Sequence, residues 1–287
     1  MRLDWLTREL PEVSIIWLLI SSVLGGIIGV FFKFIFENLL PHHFTRRREI
    51  IEVKRKYSTP ILLAADQLRK RLRNMIELIE RIEKEGDWLP LEPPPDPQTN
   101  PEGYYYYSTL YTVAHFLGWQ QILRQEVVYL DFTTTKETKT FEDFMRVIDR
   151  GFSEPKLFGK EYDGDKWVVS YVLQSIGDSM ILKEDGRRYA MGFASFVKLL
   201  DETDDKQMKS SLADLGEIFG GLNRKDFRFR RIVAIHAILN AFVEYADPTH
   251  LRTEEHAYYL HLLDGEQAGK IKERIGSVRQ KSLAQIG

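Results

Sequence analysis

The sequence predicts an all-α protein: one N-terminal transmembrane helix followed by a multi-helix cytoplasmic bundle. Residues 13–32 contain no charged side chain, and a helix of about 20 residues is about 30 Å long, which matches the hydrocarbon core of a bilayer. Beyond residue 40, apolar residues recur at helical spacing in successive segments, without alternating strands and helices. We therefore expect a short extracytoplasmic segment at 1–12, a transmembrane helix at 13–40 and a cytoplasmic helical domain at 41–287.

The charges that flank the apolar segment predict its orientation. Residues 1–12 contain two Lys or Arg residues, whereas the other flank contains seven, namely Lys33, Arg46, Arg47, Arg48, Lys54, Arg55 and Lys56. The positive-inside rule then places the N-terminus outside and the helical domain in the cytoplasm, in a single pass through a bacterial inner membrane. A cleaved signal peptide would need small residues where four phenylalanines lie between positions 31 and 36, so we expect a retained anchor. The residues expected to contact anionic lipid headgroups are Arg46, Arg47 and Arg48.

Small residues form rows along the predicted membrane helix. Ser21, Gly25 and Gly29 are spaced four residues apart, and Ser22 and Gly26 form a parallel row. Because small residues let helix backbones approach in lipid, we expect this helix to self-associate. A dimer has no lumen, whereas a ring of four or more would have one that a hydrophobic constriction could gate. The residues that would line the lumen or its cytoplasmic mouth are Ser14, Ser21, Ser22, Gly25 and Phe32, with lipid contact as the alternative role of the phenylalanine.

The cytoplasmic domain is predicted to begin with two helices and a proline-rich loop. Pro41 breaks the spanning helix and a basic helix follows it. Ser58-Thr59-Pro60 has the capping residue and the first-turn proline of a second helix start. That second helix carries an apolar stripe, and the residues expected on its water-facing side are Arg69, Lys70, Arg71 and Arg73. Residues 89–103 are rich in proline and are predicted to form a long surface loop.

The rest of the domain is predicted to be almost entirely helical. Residues 104–132 should form the central core helix, because apolar residues nearly surround it. Within it, His115 is expected to be a hydrogen-bonded core histidine, and Gly118 a point where another helix crosses closely. A turn is predicted at residues 184–186, and residues 187–191 are compatible with a short strand. The further predicted helices are 140–152, 166–182, 193–200, 208–219, 227–245, 254–263 and 267–286.

No motif in the sequence points to catalysis, so we expect no enzyme activity, no cofactor and no metal. The chain has no cysteine, which excludes thiolate zinc sites and a cysteine nucleophile. Gly265 to Lys270 has one residue too few between its glycines for a phosphate-binding loop. None of the seven histidines has the spacing of a helical metal site. The net charge of −2 excludes a globally basic nucleic-acid binder.

One basic cluster is a candidate binding site for a phosphate-bearing ligand. Its members are Arg224, Lys225, Arg228, Arg230 and Arg231, interleaved with Phe227 and Phe229. Arginines can bind phosphate bidentately and aromatic rings can stack on bases, so a nucleotide or a short oligonucleotide would suit the cluster. The alternative, which we favour, is a helix start whose arginines pair with acidic residues at 201–205 or with Glu217, and whose phenylalanines enter the core.

In several short stretches, the sequence resembles a family of uncharacterised bacterial single-pass membrane-anchored proteins with an all-helical cytoplasmic domain. The main matching residues are Thr109-Leu110-Tyr111, Ala114, Leu117-Gly118-Trp119, Ile122, Arg124, Glu126 and Leu130-Asp131. Its upstream helix is similar to Pro60-Ile61-Leu62 with Leu68 and Arg71-Leu72, and its later part to Ile176-Gly177 and Gly192-Phe193-Ala194 with Phe196. The resemblance implies the membrane anchor and the helical domain, but it implies no activity.

Two hypotheses for the function follow from these patterns. In the first, the protein is a non-enzymatic membrane effector that oligomerises through its spanning helix and forms a gated ion-conducting pore. The helical domain would sense a signal, and antiphage defence is an architectural analogy for such a role. In the second, the protein is a membrane-tethered scaffold or adaptor that binds a cytoplasmic protein. The expected partners are therefore lipid, further copies of the chain, and either a nucleotide-like signal or a protein.

Overall fold

The computed structural model describes residues 40–85, 101–128, 136–158, 167–202 and 206–283, with residues 20, 22–24 and 33 in addition. The chain divides into two compact units, Met1–Val53 and Lys54–Gly287. The described residues are mostly helical, which confirms the predicted all-α class. A single two-stranded hairpin is the exception among them.

The first unit contains the predicted membrane segment, most of which lies outside the described residues. Ser14, Ser21, Gly25, Gly26, Gly29 and Phe32 all belong to that part. Ile20, Ser22–Leu24 and Lys33 are helical and exposed. Within the described ranges, no helix combines the length and the apolar character needed to cross a membrane. The backbone of Arg46, Arg47 and Arg48 is helical.

Helix α1 (Leu40–Glu85) is continuous, so the predicted new helix start at Ser58-Thr59-Pro60 is wrong. Pro60 lies inside the helix, where a proline usually costs about 3 kcal/mol because it removes one backbone donor and crowds the preceding turn. Tyr57 and Ile61 on either side of it are 2% and 1% exposed. Burial of these side chains offsets the cost and keeps the helix intact.

The remaining helices follow the predicted pattern with shifted ends. They are α2 (Pro101–Val128), α3 (Lys136–Ser153), α4 (Ser170–Ser179), α5 (Phe193–Glu202), α6 (Lys206–Glu217), α7 (Phe227–Ala246) and α8 (Gly265–Leu283). Residues 101–103 therefore belong to α2 and not to the proline-rich loop, whose residues 89–100 lie outside the described part. The predicted helix at 254–263 is wrong, because only Leu260–Leu262 forms a short 3-10 helix there.

A β-hairpin replaces the end of the predicted helix 166–182. Its strands are β1 (Ile181–Glu184) and β2 (Arg187–Ala190), paired antiparallel with Ile181 opposite Ala190. Asp185 and Gly186 have φ angles of 48° and 73°. Two consecutive positive φ angles are typical of the tight turn that matches the twist of a hairpin, and Asp-Gly is a preferred pair there. The predicted turn and the short strand compatible with residues 187–191 are confirmed, whereas the predicted helix extends three residues beyond Ser179, the last residue of the observed one.

The core is built around α7 and the crossing of α2 with α4. Helix α7 is buried on nearly every side from Phe229 to Val243, so it is a more central helix than α2. Where α2 and α4 cross, a Cβ atom on Gly177 would lie 2.8 Å from the carbonyl oxygen of Leu117. A Cβ atom on Gly118 would lie 2.8 Å from the Cβ atom of Met180. The expected close crossing at Gly118 is therefore confirmed.

Candidate functional site

The predicted basic cluster lies at the start of α7, and Arg228 holds two helix ends together there. Its guanidinium group donates to the carbonyl oxygens of Glu217 and Gly220 at 2.6 and 2.7 Å, at the C-terminal end of α6. The same group pairs with Asp226, which caps the N-terminus of α7 by accepting from the Arg228 backbone N–H at 2.9 Å. A cation at one helix end and an anion at the other both complement the helix dipoles.

Arg231 is fully buried and binds carbonyl groups at the C-terminal end of α3, as Arg228 does for α6. Its side chain is 0% exposed, and its guanidinium donates to the carbonyl oxygens of Gly151 and Glu154 at 2.7 and 3.0 Å. The ring of Phe227 lies 5.6 Å from the guanidinium carbon. These contacts satisfy carbonyl groups that a helix C-terminus leaves without intrahelical partners. The guanidinium of Arg231 is therefore turned into the fold and away from solvent.

The other members of the cluster are more accessible. Arg224 and Lys225 are exposed, and Arg230 is half-buried. Of the two aromatic residues, Phe229 is fully buried in the core, while Phe227 is partly buried and packs against it. The structure thus brings Arg228 and Arg231 to backbone carbonyls and leaves Arg224 and Lys225 at the surface.

His115 lies in α2 as a partly buried, hydrogen-bonded histidine, as the sequence predicts. Its Nε2 accepts from the indole N–H of Trp119 at 3.1 Å, and its ring stacks on Tyr111 at a centroid distance of 5.2 Å. Burial lowers the pKa of His115 below its usual value. An imidazole that accepts at Nε2 is neutral and carries its proton at Nδ1.

A second cluster of polar side chains, which we did not expect from the sequence, lies buried between α1, α7 and the segment that follows α7. We call residues 247–259 the strap. At the centre of the cluster is Arg69, which is 0% exposed. It donates to the side-chain oxygen of Asn240 at 2.8 Å, to the carbonyl oxygen of Glu254 at 2.8 Å and to the carboxylate of Asp66. The prediction that Arg69 faces water is therefore wrong.

The strap is attached to successive turns of α1 by polar side chains. The ammonium group of Lys70 lies 3.3 Å from a carboxylate oxygen of Glu254. One turn later, Arg73 donates to Nδ1 of His256 at 3.1 Å. A further turn along, the Tyr259 hydroxyl donates to the carboxylate of Glu77. On the other side, the Asn240 side chain donates to the carbonyl oxygen of His256 at 3.1 Å.

Asp247 fixes the beginning of the strap. Its carboxylate accepts from the backbone N–H groups of Leu251, Arg252 and Thr253 at 3.1, 2.9 and 3.0 Å, and from the Thr253 hydroxyl at 3.0 Å. Burial raises the pKa of this carboxyl group, but the four donors outweigh burial and keep the pKa below its usual value. One carboxylate thus organises the turn that directs the strap back toward α1.

Two histidines of this cluster are held in the neutral form. Burial, reinforced by the charges of Arg69 and Arg73, lowers the pKa of His236 to about 3 and that of His256 to about 4. His236 is 0% exposed, and neither of its ring nitrogens has a hydrogen-bond partner. Its ring lies edge-on to Tyr259 at a centroid distance of 5.3 Å. The cluster therefore combines the buried cation of Arg69 and the half-buried cation of Arg73 with two imidazoles that must stay uncharged.

The signal for Arg69 was present in the sequence. Counting from Leu62, the apolar stripe of α1 continues through Ala65 and then reaches Leu72 and Ile76, and position 69 lies on the same line. Spacings of three and four residues place side chains on one helix face. An arginine in that row must be buried with partners, which would have pointed to a polar cluster. The strap partners had no periodic signal.

The described residues do not gather a metal site, because no three of their His, Asp or Glu side chains come together in that way. Comparisons with protein-family models, with curated proteins and with solved structures found no match. The arrangement can hold the strap on α1 and α7 through hydrogen bonds, of which the one from Arg73 to Nδ1 of His256 requires a neutral imidazole.

Proposed function

We propose that the protein is a non-enzymatic membrane effector, anchored in the bacterial inner membrane by residues 13–40 with its helical domain in the cytoplasm. The charge-free run at residues 13–32 carries this proposal, because a segment of that length and composition suits the hydrocarbon core.

Membrane insertion and topology are tested first. The full chain should stay with the membrane after alkaline carbonate extraction, and reporter fusions should place the N-terminus outside and the C-terminus inside. The matched variant carries Leu19→Arg and Val23→Arg. It should be released from the membrane, because arginines at the centre of a membrane helix oppose insertion by about 3 kcal/mol each. Full release of the unaltered chain by carbonate would overturn the proposal.

The effector would act by forming a pore through self-association of the membrane helices. The rows of small residues that include Ser22, Gly25 and Gly29 support close packing.

In detergent, the full chain should be a tetramer or larger, and in a planar bilayer it should conduct ions. Gly25→Leu should reduce both, whereas Leu24→Ile keeps the size of the side chain and should change neither. A verified dimer has no lumen and would exclude the pore. Depolarisation of an infected cell is the role in antiphage defence that such a pore would serve.

Only part of the basic cluster is accessible to a phosphate-bearing ligand. Because Arg228 and Arg231 donate to backbone carbonyls, the accessible candidates for a nucleotide or oligonucleotide phosphate are Arg224 and Lys225, with Arg230 beside them. A nucleotide that binds should raise the melting temperature of the full chain. Arg224→Glu with Lys225→Glu should remove that rise, measured against the melting temperature of the same variant without ligand. An unchanged rise in this variant would contradict binding at the cluster.

A membrane-tethered scaffold or adaptor is the second candidate, and exposed apolar side chains favour it. Trp167, Val169 and Tyr171 are 41, 54 and 79% exposed near the start of α4. Large apolar groups gathered at a surface are typical of protein-binding sites. Absence of conductance from a verified oligomer would favour this candidate over the pore.

A further inference from the structure

We propose that the strap is a latch that acid opens: it lies closed on α1 and α7 while His236 and His256 are neutral, and it lifts as a unit when they take up protons. The proposal stands on the geometry of the contacts that close the strap. It concerns the helical domain alone and is independent of the membrane proposal.

The strap has the properties of a segment that opens separately from the core. Residues 254–259 form neither helix nor strand, although the structure describes all of them. They are fastened mainly by polar groups, through the carbonyl oxygens of Glu254 and His256 and through side chains that meet α1. Tyr258 and Tyr259 add partly buried contacts with the core. Leu251 is 85% exposed. Segments with few buried apolar contacts open at a lower free energy than the core to which they are attached.

His256 converts proton uptake into loss of a contact. In the closed strap, its Nδ1 accepts a hydrogen bond from Arg73 at 3.1 Å. A protonated imidazole has no acceptor nitrogen, so it would lose that bond and place two cations side by side. The charged groups that face His256 are Arg69, Arg73 and Asp66 from α1, and Glu254 from the strap itself. The carboxylates favour its protonation, but burial and the two arginines prevail, so the closed state disfavours the proton.

His236 lies beneath the strap and adds a second proton-linked group. The groups around it are Arg69 and Arg73 from α1, and His256 and Tyr259 from the strap. Both of its ring nitrogens are buried without partners, which is an unfavourable arrangement that water would relieve once the strap lifts. Opening thus exposes both imidazoles to solvent and returns their pKa values to the ordinary histidine range.

Proton linkage sets the size of the effect. In the open state both groups have the ordinary histidine pKa of about 6.5, while in the closed state they stay neutral down to about pH 4 or below. Each group therefore favours opening by roughly tenfold when the pH falls from about 7.5 to 5.5, and the two together by roughly a hundredfold. The Asp247 carboxyl, whose pKa is below its usual value, stays ionised over this range, so it does not contribute.

Hydrogen–deuterium exchange on the full chain in detergent tests the proposal. Protection factors, which correct for the intrinsic pH dependence of exchange, should be lower for strap amides than for α7 amides at pH 7.5. Between pH 7.5 and 5.5, strap protection should fall roughly a hundredfold and should stay well below that of the amides from Ile235 to Phe242 in α7, which exchange only through global unfolding. If strap and α7 amides have equal protection factors at both pH values, the strap opens only by global unfolding and the latch does not exist.

Variants assign the response to the two histidines. His256→Asn should reduce the fall in strap protection to roughly tenfold, because one titrating group remains. His236→Leu should do the same, and it provides a second test if the first variant folds poorly. His261→Asn is the matched control, since His261 is exposed in the 3-10 helix, and it should retain the hundredfold response. A full response in both His256→Asn and His236→Leu would overturn the proposal.

Discussion

The guanidinium of Arg231 donates a 2.7 Å hydrogen bond to the carbonyl oxygen of Gly151, which lies 80 residues earlier in the chain. This bond joins the start of α7 to the C-terminal end of α3 inside the core. It explains why an arginine in a basic run can be fully buried, and it turns a candidate ligand-binding residue into one that holds two helices together.

Replacing Arg231 should therefore cost stability, whatever ligand the protein binds. We expect Arg231→Met to lower the free energy of unfolding by about 2–4 kcal/mol, because two buried carbonyl groups lose a charged donor. Chemical denaturation of the full chain in detergent, followed by circular dichroism, measures the change. Lys225→Met in the same run is the control and should stay within about 0.5 kcal/mol, since Lys225 is exposed. Equal effects of the two variants would mean that Arg231 is not held as described.

The crossing of α2 and α4 should not tolerate a methyl group. Gly177→Ala places a Cβ 2.8 Å from the backbone oxygen of Leu117, which cannot move without shifting a helix. We expect a loss of about 1–3 kcal/mol from overpacking. Gly269→Ala is the matched substitution in α8, where no atom lies within 4 Å of the new Cβ. It should be stabilising by about 0.5–1 kcal/mol through helix propensity, so the two alanines should shift the melting temperature in opposite directions.

The buried histidines should make stability fall in mild acid. Their pKa values are about 3 and about 4 in the folded protein and about 6.5 when unfolded, so the unfolded chain binds more protons between these values. Their contribution is fully present above pH 6.5 and is lost as the pH falls below it. The slope reaches about 1.4 kcal/mol per pH unit for each histidine. Denaturation curves at several pH values between 7.5 and 5 measure it.

His236→Leu separates this proton linkage from ordinary packing. Removing a buried imidazole whose nitrogens have no partner should leave stability at pH 7.5 unchanged or higher, because an unsatisfied polar group is lost. At the same time, the acid slope should fall by about 1.4 kcal/mol per pH unit. A variant with the original slope would show that His236 does not keep a depressed pKa in the folded chain.

Apolar periodicity predicted most of the helices of this fold, but the sequence did not predict the polar cluster. Periodicity identifies a helix such as α3 because its buried residues repeat every three or four positions. It fails for the end of α4, where Asp185 and Gly186 turn the chain back and a hairpin forms. It also gives no information on residues 254–259, whose position depends on hydrogen bonds to Arg69 and Asn240 from distant parts of the chain.

The same limit applies to the basic cluster. A run of arginines and phenylalanines has one composition whether it binds phosphate or caps helices, and only the position of carbonyl groups on α3 and α6 decides between them. The expected partners of these arginines were acidic side chains at residues 201–205 or Glu217, whereas Arg228 bonds to the backbone carbonyl of Glu217 and pairs with Asp226. Backbone acceptors carry no sequence signature, so this outcome could not be predicted.

Arg69 and Asn240 should be energetically coupled, because they share the 2.8 Å hydrogen bond that joins α1 to α7. Arg69→Met should lower the free energy of unfolding by about 3–5 kcal/mol, since it leaves the buried carboxylate of Asp66 without its closest cation. Asn240→Leu should cost about 1–3 kcal/mol by leaving donors of Arg69 unsatisfied. In the double variant the loss should be smaller than the sum by about 1–3 kcal/mol, which a double-mutant cycle measures.

The Arg124→Met and Asn240→Leu pair is the control cycle, because Arg124 pairs with Asp149 elsewhere, and its effects should add. Additivity in the first cycle as well would show that the arginine and the asparagine do not share a bond in solution.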